Sequence, residues 1–193
     1  MSTRYFANGQ RVDYSGYVVP GDDDGLVRGL AVFETMRSRN GKLFRANDHI
    51  ARLIASADVV GVQCPSQETL KSELVAAVAG YPQDAKVRIT LTHGGQRLLT
   101  VDALDTAYTG KPLNVATCQW EPPPWFDGRT KHCSRAINQV ARQTAGVDEI
   151  FWVGNDGNFT EATRSNIFAV IDHALVTPRD DGRILSGVTR AAL

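Results

Sequence analysis

The chain has 193 residues, of which 42% are apolar and 22% are charged, a balance that is ordinary for one or two globular domains. Lysine plus arginine and aspartate plus glutamate each number 21, so the formal net charge is zero. A neutral chain has no broad electrostatic field for nucleic acid or for an anionic membrane surface, and we expect neither partner. An anionic ligand would have to be held by a few placed cations.

The three cysteines, Cys64, Cys118 and Cys133, lie far apart and form no C-x-x-C pair. This spacing indicates neither a disulfide framework nor a metal site, and it favours a reducing, cytoplasmic location. The first residues lack the apolar core of a signal peptide, and no apolar run approaches the ~18 residues of a membrane span.

The first half of the chain predicts a small mixed domain of strands and two helices. Asn8-Gly9 and Asn40-Gly41 favour tight turns, while Asn47-Asp48 and Ser66 favour helix starts. The expected elements are a hairpin over residues 4–12, a buried strand over 30–36, a helix from 47 to about 60, a helix from 66 to 80, and a strand over 87–91.

Residues 121–128, which read EPPPWFDG, are the best linker candidate, because consecutive prolines join neither a helix interior nor a central strand. We therefore expect a small N-terminal domain over residues 1–120, a linker over 121–128, and the start of a larger domain over 129–193. The elements expected in the larger domain are a helix over 136–145, ended by Gly146, and strands over 150–153, 158–160, 167–170 and 174–177.

Lys131 follows the linker, at the entry to the second domain. A lysine just after a loop is usually a solvated surface residue. The functional alternative is a Schiff-base lysine, which needs a partly desolvated amine that can be neutral. Only the neighbours of Lys131 can decide between these two interpretations.

Two polar segments of the second half are further candidates. Residues 160–168, TEATRSNIF, place Glu161 among apolar neighbours, either in an ordinary polar loop or as the partner of a buried cation such as a pyridinium nitrogen. Residues 184–190, ILSGVTR, include Gly187, which permits close backbone approach, and Thr189, whose hydroxyl and neighbouring N–H groups would suit a phosphate. An ordinary helix N-cap is the alternative.

Arg52 lies beside the apolar stripe of the first predicted helix. Most arginines in such a place extend to solvent. If Arg52 is buried it needs an anion, and a phosphate would satisfy its fork of donors.

In this order the motifs resemble those of the class IV pyridoxal-phosphate enzymes, which have fold type IV. The family includes branched-chain aminotransferases, D-amino-acid aminotransferases and aminodeoxychorismate lyases. The matching segments are VFETMR at 32–37, NG at 40–41, DHIARL at 48–53, TE at 160–161, SNIF at 165–168, IL at 184–185 and GVTR at 187–190. The resemblance runs from about Tyr5 to the last residue.

The resemblance implies an α/β fold of mixed α+β character, in which a small N-terminal α/β domain and a larger domain hold pyridoxal 5′-phosphate (PLP) between them. It implies that Lys131 forms the internal aldimine and shuttles the alpha proton, and that Glu161 pairs with the ring nitrogen. It assigns the phosphate to Arg52, Val188 and Thr189. Because family members are usually homodimers, we expect a homodimer.

Three departures from the family pattern bear on the pocket. Family members continue for several tens of residues past the GVTR motif, whereas this chain stops at Leu193, so the larger domain is expected to lack its C-terminal part. The tyrosine that branched-chain aminotransferases carry shortly after the lysine is absent. The acidic or tyrosine residues that family members carry just before VFE are replaced here. Arg28 lies in this segment, which in the family lines the substrate side of the pocket.

Two arginines, Arg28 and Arg97, are the expected ligands of a substrate carboxylate, which an arginine binds through two hydrogen bonds. The loop of Arg97 resembles the carboxylate-binding loop of D-amino-acid aminotransferases, although Leu99 is the nearest match to its accompanying histidine. For both arginines an ordinary surface position is an equal alternative. Arg88 is a weaker candidate, because strand alternation can point it to solvent.

The expected reaction is amino-group transfer between an amino acid and a 2-oxo acid, with D-amino acids favoured over branched-chain amino acids. An aminodeoxychorismate lyase that releases pyruvate is the alternative enzyme, since the Lys131-His132 pair with Arg135 resembles that group. A catalytically silent family member, which binds cofactor or a partner only, is the alternative of another class.

Overall fold

Six strands form one antiparallel sheet in the computed structural model, which describes residues 3–107 and 109–193. These strands are β1 (Arg4–Ala7), β2 (Gln10–Val12), β3 (Ala31–Arg39), β4 (Lys42–Leu43), β5 (Ala85–Thr92) and β6 (Arg97–Ala103). They lie in the order β2-β1-β6-β5-β3-β4. The Asn8-Gly9 and Asn40-Gly41 pairs have positive φ at both residues and form the predicted hairpin turns.

Two helices, α2 (Ala46–Val60) and α3 (Gln67–Val78), pack against the sheet, and a short helix, α1 (Asp24–Val27), precedes β3. The Ser66 side chain accepts a hydrogen bond from the Thr69 N–H, as predicted for a helix start. Helix α2 begins just before the predicted cap: its N-cap is Arg45, which makes no side-chain capping hydrogen bond, and Asp48 lies in the first turn, where its carboxylate binds Arg45 Nε at 2.6 Å.

The core of this sheet lies between its inward face and the two long helices. Residues that are buried there alternate along the strands and recur at helical spacing along α2 and α3. Its larger members are Val32, Met36, Ile50, Leu53, Leu70, Leu74, Val87, Ile89, Leu91, Leu99 and Val101. The strand predicted at residues 87–91 is therefore confirmed with its buried face.

Residues 130–134 pair with the beginning of β3, from which they are distant in sequence. Val32 and His132 form an antiparallel bridge. The Phe33 N–H donates to the Lys131 carbonyl at 3.0 Å, and the Cys133 N–H donates to the Ala31 carbonyl at 2.8 Å. Lys131 therefore belongs with the sheet, whereas the sequence had placed it in the second domain.

The chain divides into a first unit of Met1–Ala107 with Thr130–Ser134, and a second unit of Tyr108–Arg129 with Arg135–Leu193. The boundaries predicted at residues 120 and 128 differ from this division. Residues 121–128 lie within the second unit, because the strand before them pairs with a strand after them.

The second unit contains a three-stranded sheet in which β7 (Val115–Gln119) runs parallel to β8 (Glu149–Val153) and β9 (Phe159–Ala162) is antiparallel to β8. Parallel strands need a crossover connection, and it contains α4 (Ala136–Ala145), which ends at Gly146 as predicted. A separate hairpin consists of β10 (Ala169–Ile171) and β11 (Ala174–Val176).

The residues after Gly187 form one helical turn. The Ala191 N–H donates to the Gly187 carbonyl at 2.9 Å and the Ala192 N–H to the Thr189 carbonyl at 3.1 Å, and the turn Arg190–Ala192 is of the 3₁₀ type. Strands β6 and β7 were not predicted, and Arg97, expected in a loop, is the first residue of β6. Within residues 3–107 and 109–193, no helix is long and apolar enough to cross a membrane.

Candidate active site

Lys131 lies beside Phe33, its neighbour across the short strand pairing. Two residues that face each other across antiparallel strands present their side chains on the same side of the sheet. Accordingly, Lys131 Nζ lies 4.8 Å from the centroid of the Phe33 ring. The Lys131 N–H also donates to Ser56 Oγ of α2 at 3.0 Å, and the preceding Thr130 is buried. The lysine is therefore held at both its backbone and its amine.

Arg88 shares the Phe33 ring with the lysine. Strand β5 buries Val87 and Ile89 in the core, so Arg88 points to the opposite face of the sheet. Its Cζ lies 3.8 Å from the centroid of Phe33, and its Nη2 lies 4.0 Å from Cys133 Sγ. Among the residues that the structure describes, no carboxylate lies within ion-pair distance of this half-buried arginine. We call Phe33, Arg88 and Lys131 the lysine face.

Arg52 is held by a buried carboxylate on β3. Its Nε donates to Glu34 Oε1 at 2.6 Å and its Nη2 to Glu34 Oε2 at 2.8 Å, while His49 Nδ1 lies 2.8 Å from Oε2. Glu34 is 0% exposed. Burial alone would raise the pKa of Glu34, but hydrogen bonds from His49 and Arg52 and the charges of Arg52 and Lys131 outweigh it and lower that pKa. Glu34 is therefore ionised at neutral pH.

In the second unit, the two polar segments singled out in the sequence meet at Leu185. Glu161 Oε2 accepts a hydrogen bond from the Leu185 N–H at 2.9 Å, and Asn166 Nδ2 donates to the Leu185 carbonyl at 2.9 Å. Gly187 packs so closely that an added Cβ would overlap Asn166 Oδ1. Close backbone approach is thus the role of this glycine, as the sequence indicated.

The predicted phosphate ligands Val188 and Thr189 follow that glycine. Val188 is buried at 6% exposure, and Thr189 is exposed at the start of the 3₁₀ turn without capping it through its side chain. Their role stays a prediction.

The two predicted carboxylate ligands are both paired within the first unit. Arg28, at the end of α1, makes an ion pair with Asp24 and is exposed. Arg97 binds both oxygens of Glu73 on α3, at 2.6 and 2.7 Å. Because Arg97 pairs with the core residue Leu91 in the sheet register, it points to the helix side, opposite to the lysine face. The structure therefore brings Arg88, and not Arg97, to Lys131.

Sequence reasoning missed the roles of Glu34 and His49. A signal was present, because His49 and Arg52 are three residues apart on a predicted helix and so share a face. A glutamate within the apolar run of β3 was the matching clue, since a buried carboxylate needs a partner.

Comparison with known proteins defines the class of this protein. The family model described as amino-transferase class IV matches residues 31–193, and the chain belongs to that family. The family is PLP-dependent. The earlier expectation of a class IV, fold type IV, PLP-dependent protein is thereby confirmed.

Individual relatives carry two different names. The chain is 29% identical to a probable branched-chain-amino-acid aminotransferase of Rickettsia bellii, over 96% of this chain and 71% of that protein. It is also 29% identical to a D-alanine aminotransferase of Bacillus licheniformis, over 95% of this chain and 71% of that protein. A fold IV-transaminase from Curtobacterium pusillum shares the fold, with a TM-score of 0.88 at 23% identity, over 99% of this chain and 77% of that one.

The donor set of the chain fits PLP. An amine can react with the aldehyde of PLP, a carboxylate can pair with its pyridinium nitrogen, and a guanidinium can bind its phosphate. Lys131 has its amine on an apolar ring, Glu161 has an ordered carboxylate, and Arg52 has a guanidinium fixed by two hydrogen bonds. Each group is held in place by a contact within its own unit.

Proposed function

We propose that the chain is an aminotransferase that moves an amino group between an amino acid and a 2-oxo acid, with Lys131 as the residue that binds PLP covalently. The observation that carries this proposal is Lys131 Nζ on the Phe33 ring beside Arg88, an arginine without a carboxylate partner in the described chain. A reactive amine and an unneutralised cation on one sheet face suit a substrate that carries both an amino group and a carboxylate.

When bound, PLP supplies the electron sink that stabilises negative charge at the substrate alpha carbon. In the proposed reaction, Lys131 accepts the proton from that carbon and returns it. Glu161 pairs with the ring nitrogen and keeps it protonated. Arg52 and the backbone of Val188 and Thr189, with the Thr189 hydroxyl, bind the phosphate.

Arg88 is our proposed ligand for the substrate carboxylate. Arg28 and Arg97, the arginines predicted from sequence, already have their charge neutralised by Asp24 and Glu73, and Arg97 points to the helix side of the sheet, away from the lysine face. D-Amino acids remain the first substrate class to test, followed by branched-chain L-amino acids. A cytoplasmic homodimer belongs to the same proposal.

The test is covalent labelling of the lysine. The purified chain is incubated with PLP and reduced with borohydride, and its peptides are identified by mass spectrometry. We expect the label on Lys131 in the wild type and in a Lys42→Ala control, whose substituted lysine is exposed. Lys131→Ala should lose the label, because Lys131 is the lysine that we propose to bind PLP covalently. A label that stays in Lys131→Ala, or no label in the wild type, would contradict it.

Substrates then separate the candidate reactions. Amino acids of both configurations are added to the PLP-loaded chain, and formation of pyridoxamine phosphate is measured. Conversion by D-alanine or D-glutamate supports the D-amino-acid type, and conversion by L-leucine supports the branched-chain type. Pyruvate release from aminodeoxychorismate without any conversion would instead identify a lyase.

A further inference from the structure

Glu34 is a buried carboxylate that the proposed reaction does not use. It lies on β3 with 0% exposure, next to Phe33. A charge is costly to bury unless it is paired and hydrogen-bonded, so the buried Glu34 carboxylate needs partners with good geometry. Three residues meet this need with four hydrogen bonds: one from His49, two from Arg52 and one from the Thr35 N–H at 3.3 Å.

The Arg52 guanidinium is bound to Glu34 at two points. Nε binds one carboxylate oxygen at 2.6 Å and Nη2 binds the other at 2.8 Å. A two-point contact between two planar groups fixes the plane of the guanidinium as well as its position. His49 Nδ1, at 2.8 Å, steadies the same carboxylate from α2. An arginine side chain has many rotamers in water, and this arrangement selects one of them.

We propose that Glu34 is a positioning residue for the cofactor phosphate, which it serves by holding the Arg52 guanidinium in one orientation. This inference rests on the proposed function, in which Arg52 binds the phosphate. Glu34 touches neither substrate nor cofactor in this role. The cation it aligns is the one that binds, and the alignment is made before the ligand arrives, so less conformational entropy is lost on binding.

The chain offers a matched control in Glu73. It binds Arg97 with the same two-point geometry, at 2.6 and 2.7 Å, within the same unit. Both side chains of that pair are 18% exposed. A Glu73→Gln variant thus breaks an equivalent ion pair between a helix and the sheet, without altering Arg52.

The experiment compares PLP with pyridoxal, which lacks the phosphate. Dissociation constants for both are measured by absorbance titration on the wild type, Glu34→Gln and Glu73→Gln. We expect Glu34→Gln to weaken PLP binding by on the order of tenfold, the size known for residues that orient metal ligands, and to leave pyridoxal binding unchanged. Glu73→Gln should keep the wild-type ratio of the two constants.

Because the test uses the ratio of the dissociation constants for pyridoxal and PLP, its result does not depend on how much of a variant is folded. A variant that is partly unfolded binds both ligands less, so its ratio stays that of the wild type. Glu34→Asp retains the charge but shortens the side chain, and it should fall between the wild type and Glu34→Gln. If Glu34→Gln keeps the wild-type preference for PLP, the role of Glu34 is overturned while the phosphate site stands. If the wild type itself binds PLP no better than pyridoxal, the phosphate role of Arg52 fails, and that of Glu34 with it.

Discussion

Arginines of the first unit differ in what neutralises them. Arg52 and Arg97 each bind a glutamate at two points, and Arg28 binds Asp24. Arg88 instead lies over the Phe33 ring, which it shares with Lys131, and no carboxylate of the described chain lies at ion-pair distance from it. A substrate carboxylate gains most from an arginine whose charge no protein carboxylate neutralises and which lies beside the lysine, so Arg88 is the position at which it should bind best.

Replacing Arg88 by glutamine should therefore raise KM for the amino acid about 10- to 100-fold, the value of one or two charged hydrogen bonds. Covalent labelling of Lys131 should continue, because its backbone contacts to Ser56 and Phe33 remain. Steady-state kinetics of Arg88→Gln, Arg97→Gln and Arg28→Gln measure the effect. A large KM increase in Arg97→Gln with none in Arg88→Gln would contradict the role of Arg88 and support Arg97, the ligand predicted from sequence.

Turns and caps of the elements follow from local chemistry, and this is where sequence prediction performed best. Ser66 starts α3, Gly146 ends α4, and Asn8-Gly9 closes the first hairpin. The start of α2 was placed slightly late: Asp48, a good capping residue, lies in the first turn and binds Arg45, which is the N-cap. Contacts between distant elements lie outside such local rules, and the meeting of Glu161, Asn166 and Gly187 at Leu185 is an example.

Gly187→Ala tests that meeting of elements. An added Cβ would overlap Asn166 Oδ1, and a shift of Asn166 would break its hydrogen bond to the Leu185 carbonyl. We expect a loss of about 0.5–1.5 kcal/mol in unfolding free energy, the value of one such hydrogen bond. Urea denaturation gives the number. Gly21→Ala is the control, since nothing lies within 4 Å of a Cβ there, and equal losses in the two variants would contradict the prediction.

Both units hold carboxylates whose pKa is lowered in the folded state. For Asp23, burial raises the pKa, but hydrogen bonds from Thr92, Gly25 and Gly94 lower it further than burial raises it. The pKa values of Glu34 and Asp180 are likewise lowered although burial would raise them. The pKa of Asp181 is lowered mainly by its hydrogen bond to Arg183. A carboxyl group with a folded pKa below its unfolded pKa stabilises the fold above the unfolded value, and this stability is lost as the pH falls through the folded value.

We therefore expect the unfolding free energy to be nearly constant from pH 7 to about 5 and to fall steadily below about pH 4, where unfolded carboxylates bind protons first. Urea titrations across this range measure it. Asp23→Asn should be less stable at pH 7 and should show a smaller loss on acidification, because one of the linked groups is gone. Stability that rises on acidification would contradict the sign of these shifts.

The resemblance to the class IV family singled out the candidates Lys131, Arg52 and Glu161. The sequence by itself determined strand β5, with its alternating apolar residues, and both long helices of the first unit. It did so because periodicity, turn pairs and capping are set by residues close together in the chain. Only the tertiary structure decided which arginine is neutralised and which lies beside the lysine. Strand alternation places Arg88 and Arg97 on opposite faces, but their partners come from elsewhere: Glu73 lies on a helix, and Lys131 lies on a segment anchored to Ser56, 75 positions away. Charge pairing depends on such distances in space, and a local pattern does not contain them.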